Sequence, residues 1–330
     1  MLRRLFLVAV IAGLVVGGCS QSDDATSDET TTATAAPTTT TTTAPTTTTT
    51  IAPTTVAESQ TAMVTEKDLV YATYWGKKPL TLDMSAPVEP ADAPVVIYLP
   101  GRGGHSAPPE MIEGLVEEGA FVFFARYASS GSGPEQILAD HGAVAGAQVE
   151  SAACAIRFAR AHASKLGNDD PVVVLTGLSN GGGVASHAAL FGADLDARWD
   201  EYAAAGGPPR QVECEVTDGS THVDAVVGMN GNYDVFVPIY DGGYGRTHQQ
   251  FLDPELQAFQ SSSIGANPDL KIRLIHAESD IVIPYSNSVD FAAALTDAGY
   301  DVGEVIVFDG EHHWVPPEVA IPIIMELIEP

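Results

Sequence analysis

The stretch PVVVLTGLSNGGGVASHAAL, residues 171–190, decides how this chain folds. It opens on an apolar, β-branched run and ends in small residues, with the segment Gly177-Leu178-Ser179-Asn180-Gly181 between them. The first run predicts a buried strand and the second a helix. The turn that joins them is so short that Ser179 would stand at its apex. Glycine suits both ends of the segment because a side chain there would collide with the adjoining strand or helix.

The residues on either side of this stretch alternate between strand-like and helix-like patterns. Eight runs read as strands, and they are residues 68–74, 80–84, 94–99, 120–125, 172–176, 223–229, 272–276 and 304–308. Helical spacing is seen at residues 108–118, 139–166 and 286–298, and from residues 181 and 317 onward. Strands that alternate with helices predict an α/β fold with a mostly parallel, eight-stranded sheet and helices on both faces.

From Leu69 to the C-terminus the chain resembles the α/β-hydrolase superfamily, and within it the small esterases, lipases and dienelactone-hydrolase-like proteins. The resemblance is carried by residues 177–181, by the paired first strands around Val70-Tyr71 and Leu82-Asp83, and by the helical segment 153–158, ACAIRF. It implies the α/β-hydrolase fold over the whole folded region. It also implies hydrolysis of a small-molecule carboxylic ester through an acyl-enzyme on Ser179, without a cofactor.

A serine hydroxyl becomes a good nucleophile only when a base takes its proton and a carboxylate orients that base. In the fold that this chain resembles, the chain order is serine, acid, histidine. Asp280 fits the acid because it lies in the loop after the strand at 272–276, in a segment similar to the family's acid loop. Asp234 is the reserve candidate and Glu278 a weaker one.

The base is expected after the last strand, in the segment Asp309-Gly310-Glu311-His312-His313-Trp314. Members of the family often have glycine, two further residues and then histidine at this place. That spacing selects His313 as the base. His312 is the alternative, because it stands one position earlier, where the family usually has a small residue.

The oxyanion of an acyl transfer needs backbone N–H donors that face it. The resemblance implies Asn180, the residue after the nucleophile, as one donor. The other should come from the loop PGRGGH, residues 100–105, which is similar to the His-Gly-Gly-Gly loop of esterases but has proline first and an arginine among the glycines. By position Arg102 is the second donor, with Gly103 next, and His105 is a candidate to line the pocket.

The N-terminus resembles an export signal. Arg3 and Arg4 precede an apolar run at residues 5–16, which at about 12 residues is shorter than the roughly 20 needed to span a bilayer. The segment before Cys19 is similar to a bacterial lipobox, which predicts a lipoprotein signal at 1–18 and a lipid on Cys19. A Thr/Pro-rich disordered tether at 19–64 and a catalytic domain at 65–330 would follow. The alternative is an ordinary signal peptide and secretion.

The net charge and the cysteines indicate which partners the protein can bind and in which compartment it is found. The net charge of −28 without a basic patch argues against binding to nucleic acid and to anionic lipid headgroups. The predicted link to the membrane is the N-terminal lipid anchor. At the extracytoplasmic face Cys154 and Cys214 can form a disulfide, and the alternative is two unpaired thiols. The histidines show no metal-ligand spacing.

Two other functions and the role of one segment stay open. A peptidase, thioesterase or polyester depolymerase could use the same fold, and a non-catalytic ligand-binding lipoprotein would share the anchor and tether. Residues 232–263 could be a short lid or a plain loop.

Overall fold

A computed structural model describes residues 63–76, 78–88, 92–101, 108–128, 141–204, 209–233, 263 and 265–328, with backbone alone for 141–145. The signal segment, Cys19 and nearly all of the predicted tether lie outside these ranges. So do Asp234, most of the segment 232–263, and the loop residues Arg102, Gly103 and His105.

The described residues form one nine-stranded sheet in the order β6-β1-β2-β4-β3-β5-β7-β8-β9. The pairs β6–β1, β1–β2 and β2–β4 are antiparallel, and all pairs from β4–β3 to β8–β9 are parallel. The strands are β1 (Met63–Tyr74), β2 (Lys78–Pro87), β3 (Val95–Leu99), β4 (Phe121–Ala125), β5 (Val173–Leu178), β6 (Val212–Cys214), β7 (Ala225–Met229), β8 (Lys271–Ala277) and β9 (Ile306–Phe308).

The ninth strand corrects the prediction of eight. The extra strand, β6, has only three residues, so it is too short to show an alternating pattern in the sequence. It pairs with the outer edge of β1, where Cys214 lies opposite Ala72. A disulfide joins Cys214 to Cys154, with the two Cα atoms 5.1 Å apart. Contacts distant in sequence therefore hold this strand.

Helices cover both faces of the sheet, as predicted. Successive residues of β3 point to opposite sides, so Ile97 packs into one buried cluster and Tyr98 into the other. None of the described helices is long and apolar enough to cross a membrane. The helices are α1 (Pro109–Glu117), α2 (His141–Lys165), α3 (Asn180–Phe191), α4 (Leu195–Ala204), α5 (Tyr285–Asp297) and α6 (Pro317–Glu326).

The parallel strands end together at one edge of the sheet. Leu99 of β3 lies opposite Gly177 of β5, and Leu178 lies opposite Met229 of β7. The residues that follow these strands therefore meet at this edge, the usual place for a ligand site in an α/β sheet.

Candidate active site

Ser179 stands on a sharp turn between β5 and α3. Its backbone angles are φ 56° and ψ −123°, a region that residues other than glycine rarely adopt. The surrounding backbone holds this conformation, since the Ser179 N–H donates to the Met229 carbonyl at 2.9 Å. The Ser179 carbonyl in turn accepts from the N–H groups of Gly182 at 3.0 Å and Asn232 at 3.1 Å.

The glycines of the turn are required by close backbone packing, as predicted. A Cβ on Gly177 would lie 2.3 Å from the carbonyl oxygen of Gly181, at the start of α3. A Cβ on Gly181 would lie 2.3 Å from the carbonyl oxygen of Leu99, at the end of β3. Gly183 meets the same limit, because its Cβ would come within 2.1 Å of the Asn232 oxygen.

The histidine that contacts Ser179 is His312. Its Nε2 lies 2.8 Å from Ser179 Oγ, and its Nδ1 lies 2.6 Å from Asp280 Oδ2. His312 is buried, whereas the neighbouring His313 is exposed. The choice of His313 is therefore corrected to His312. The family spacing places the base one residue too late, because in this chain the loop turns inward after Glu311.

Asp280 is buried, and both of its carboxylate oxygens have hydrogen-bond partners. Its Oδ1 accepts hydrogen bonds from the backbone N–H groups of Val282 and Ile283, each at 2.8 Å, and its Oδ2 faces His312. Burial by itself would raise the pKa of this carboxyl. Hydrogen bonds from two histidines and a backbone N–H outweigh the burial and hold the pKa of Asp280 well below its usual range. The group is therefore a carboxylate at neutral pH.

His276 is the second histidine beside Asp280, and the sequence pattern did not single it out. It is completely buried at the end of β8, and its Nε2 lies 2.8 Å from the Ile283 carbonyl and 3.3 Å from Asp280 Oδ2. A carbonyl only accepts, so Nε2 carries a proton. Nδ1 lies 2.7 Å from Ser288 Oγ. His276 thus contacts two residues of the loop that carries Asp280. Its position at the end of the strand before that loop was the signal in the sequence that could have identified it.

Asn230, directly after β7, is a further site residue that sequence reasoning missed. It is fully buried with φ 44°, and its side-chain Nδ2 donates to the His312 carbonyl at 2.8 Å. Its Oδ1 accepts from the Ala277 N–H, also at 2.8 Å. The Asn230 side chain therefore connects the loop that carries His312 to the end of β8, and the loop that carries Asp280 begins there. The signal in the sequence was an amide residue at the carboxyl end of a buried strand.

Two backbone segments face Ser179 where the oxyanion donors are expected. Asn180 is the first residue of α3, and no described residue accepts a hydrogen bond from its backbone N–H. Gly101, after β3, lies against the serine, since a Cβ there would be 3.4 Å from Ser179 Cβ. Arg102, the predicted second donor, is the first residue beyond the described part of this loop.

Glu278, the weaker candidate for the acid, is not drawn into the site. The Glu278 side chain is exposed, and its backbone N–H donates to the Phe308 carbonyl at 2.9 Å. Among the residues that the structure describes, no group of histidine, cysteine or acidic side chains could hold a metal ion.

Solved structures similar to this chain share its fold. A truncated carbohydrate esterase from gut microbiota is 20% identical with a TM-score of 0.56, and the match covers 82% of this chain and 98% of that one. A bifunctional GH43-CE protein of Bacteroides eggerthii is 22% identical with a TM-score of 0.56, over 80% of this chain and 38% of that one. Esterase 2 of Thermogutta terrifontis, phosphoramylated by tabun, is 21% identical with a TM-score of 0.53, over 80% and 91%.

The sequence comparisons give the family. No curated protein matches the chain. The family model described as BD-FAE matches residues 82–295, which is more than half of the chain and runs from β2 into α5. This range includes Ser179 and Asp280 and ends before His312. The chain therefore belongs to the BD-FAE family and has the α/β-hydrolase fold.

Proposed function

We propose that this protein is a serine hydrolase that cleaves carboxylic esters through an acyl-enzyme on Ser179. The observation that carries the proposal is the unbroken chain from Ser179 Oγ to His312 Nε2, at 2.8 Å, and from His312 Nδ1 to Asp280 Oδ2, at 2.6 Å. The names of the structural neighbours, which are esterases, support the choice of an ester bond.

This geometry supports each step of the proposed reaction. The Asp280 carboxylate accepts the Nδ1–H of His312, which leaves the Nε2 lone pair to take the proton of Ser179. Oγ then attacks the ester carbonyl, and the Asn180 N–H donates to the oxyanion. His312 returns the proton to the leaving alcohol as the acyl-enzyme forms. Water repeats the same steps to release the acid and free Ser179.

The first prediction tests the nucleophile. Ser179→Ala should abolish turnover of p-nitrophenyl acetate and butyrate, because alanine has no oxygen to acylate, while the far-UV circular dichroism spectrum stays unchanged. A fluorophosphonate probe should label the wild-type protein and leave the variant unlabelled. Undiminished turnover in the variant would refute the assignment of Ser179. A wild-type protein that neither turns over esters nor takes the label would instead support a ligand-binding role.

We also propose that the protein is exported and held at the extracytoplasmic face of the cell membrane by a lipid on Cys19. Two features support this: the lipobox-like segment before Cys19, and the disulfide between Cys154 and Cys214, which fits an oxidising compartment. Mass spectrometry of the N-terminal peptide should find a diacylglyceryl group on Cys19. In a Cys19→Ala variant the protein should leave the membrane fraction, and a variant that stays there would contradict the anchor.

A further inference from the structure

Tyr127 lies behind the turn that carries Ser179. It follows β4 closely in the chain, and only 7% of its surface is exposed. Its hydroxyl donates to the Pro100 carbonyl at 2.9 Å and accepts from the side-chain Nδ2 of Asn180, also at 2.9 Å. A buried hydroxyl that makes both bonds is firmly fixed in place, since hydrogen bonds are strong in a low-dielectric interior.

The two partners of this hydroxyl belong to the two segments that face the reacting oxygen. Asn180 supplies the first oxyanion N–H from its own backbone. Pro100 opens the loop after β3, and the next residue, Gly101, lies against Ser179. Gln148 of α2 is a second acceptor for Asn180 Nδ2, at 3.3 Å, so the Asn180 side chain is fixed from two sides. No other described side chain makes hydrogen bonds to both Asn180 and Pro100.

We propose that Tyr127 is a positioning residue that holds the two oxyanion-binding segments at their working separation, an inference that rests on the proposed ester hydrolysis. The negative charge on the ester oxygen develops only in the transition state, so the N–H groups must already stand where that oxygen will be. Without the Tyr127 hydroxyl, the Asn180 side chain and the start of the β3 loop lose their common anchor. The groups can then drift apart by a fraction of an ångström, and small misplacements of this kind are costly in rate.

The experiment compares Tyr127→Phe with Tyr71→Phe. Both changes remove one buried tyrosine hydroxyl and keep the ring. Tyr71 is the matched control, because its hydroxyl donates to the Arg126 carbonyl at 3.2 Å and makes no hydrogen bond to the described residues of either oxyanion segment. Tyr127→Phe should lower kcat for p-nitrophenyl acetate by roughly 10- to 100-fold, with KM within about twofold of the wild type. Tyr71→Phe should keep kcat within about twofold of the wild type.

A second readout separates positioning from general damage. In a thionoester, sulfur replaces the carbonyl oxygen, and sulfur is a weak acceptor for N–H groups. The wild-type preference for the ester over the thionoester therefore reports how well those groups are placed. In Tyr127→Phe this preference should shrink by about the same factor as kcat. The double variant Tyr127→Phe/Asn180→Ala should lose less kcat than the product of the two single losses, because both changes remove the same hydrogen bond.

The outcomes are distinct. If the wild type is active and Tyr127→Phe keeps its kcat, or loses ester and thionoester turnover equally, the inference about Tyr127 is overturned and the proposed function stands. A wild-type protein without esterase activity would overturn both.

Discussion

At the scale of single residues, the imidazole of His312 lies between a carboxylate and a hydroxyl. Only 3% of its surface is exposed. Asp280 accepts a hydrogen bond from Nδ1–H, and Nε2 is therefore left as the acceptor facing Ser179. His313, the next residue, is turned to solvent. Two adjacent histidines thus have different environments, and a comparison of variants at the two positions distinguishes them.

The second prediction is that His312→Ala lowers kcat for p-nitrophenyl butyrate by about 10³-fold or more, since the serine loses its general base. His313→Ala, the matched control one residue away, should stay within about twofold of the wild type because its side chain is exposed. Steady-state kinetics at pH 8 measure both. If His313→Ala proved to be the inactive variant, the assignment of His312 as the base would be wrong.

At the scale of elements, α2 is joined to the edge strand β6 by Glu150 and by the disulfide. The Glu150 carboxylate is buried, and its Oε2 accepts from the backbone N–H groups of Gln211 at 2.9 Å and Val212 at 3.2 Å. Burial raises the pKa of Glu150 to about 7, although these hydrogen bonds partly oppose the rise. The folded protein therefore holds the Glu150 proton more tightly than the unfolded chain does.

The third prediction concerns pH and follows from this difference. Glu150 has a pKa near 4.5 in the unfolded chain and about 7 in the fold, so its protonated form contributes stability below pH 4.5. That contribution is lost as the pH rises from about 4.5 to about 7, and the loss amounts to at most about 3 kcal/mol. In Glu150→Gln the loss should be absent, so relative to the variant the wild type should become less stable over this window.

Urea unfolding of the wild type and the variant at pH 5 and pH 8 measures this difference. Glu213→Gln is the control, because Glu213 lies on β6, the strand that Glu150 contacts, and its side chain is exposed. The same pH trend in the wild type and Glu150→Gln would show that Glu150 does not contribute it.

At the scale of the whole molecule, the parallel order of the strands builds the site. Ser179, Asp280 and His312 follow β5, β8 and β9, and Asn230 follows β7 between them, so all four reach the same edge of the sheet. The disulfide lies at the other end of the strand order, where four strands separate β6 from β5. The disulfide and the candidate site therefore lie in different parts of the sheet.

The fourth prediction uses this separation. Replacing both Cys154 and Cys214 by alanine should lower the free energy of unfolding by about 2–4 kcal/mol, since the bond closes a loop with a sequence separation of 60. Esterase activity at 25 °C should stay near that of the wild type, because the strands that carry the site keep their pairing. Urea unfolding and p-nitrophenyl acetate turnover measure the two effects. A variant as stable as the oxidised wild type, or one that folds but is inactive, would contradict this prediction.

The steric requirements of the turn at Ser179 could be predicted from the sequence. The glycines around Ser179 are required by contacts with backbone close by in the chain or at the end of the adjoining strand, so the turn was visible in residues 171–190. The alternation of apolar strands and helices likewise predicted the fold class, because each element shows its own periodicity. Asp280 was placed by its position after a buried strand.

Contacts between distant segments could be found only in the tertiary structure. His312 contacts Asp280 and Ser179, and Asn230, which is 82 residues away in the chain, donates to its carbonyl. The strand β6 depends on Cys154, and the tie between Asn180 and Pro100 depends on Tyr127. The sequence by itself determined the fold class and the turn at Ser179, and it indicated Asp280 as the candidate acid. The direction of a loop side chain was decided by the fold, because a loop has no periodicity and its partners come from other elements.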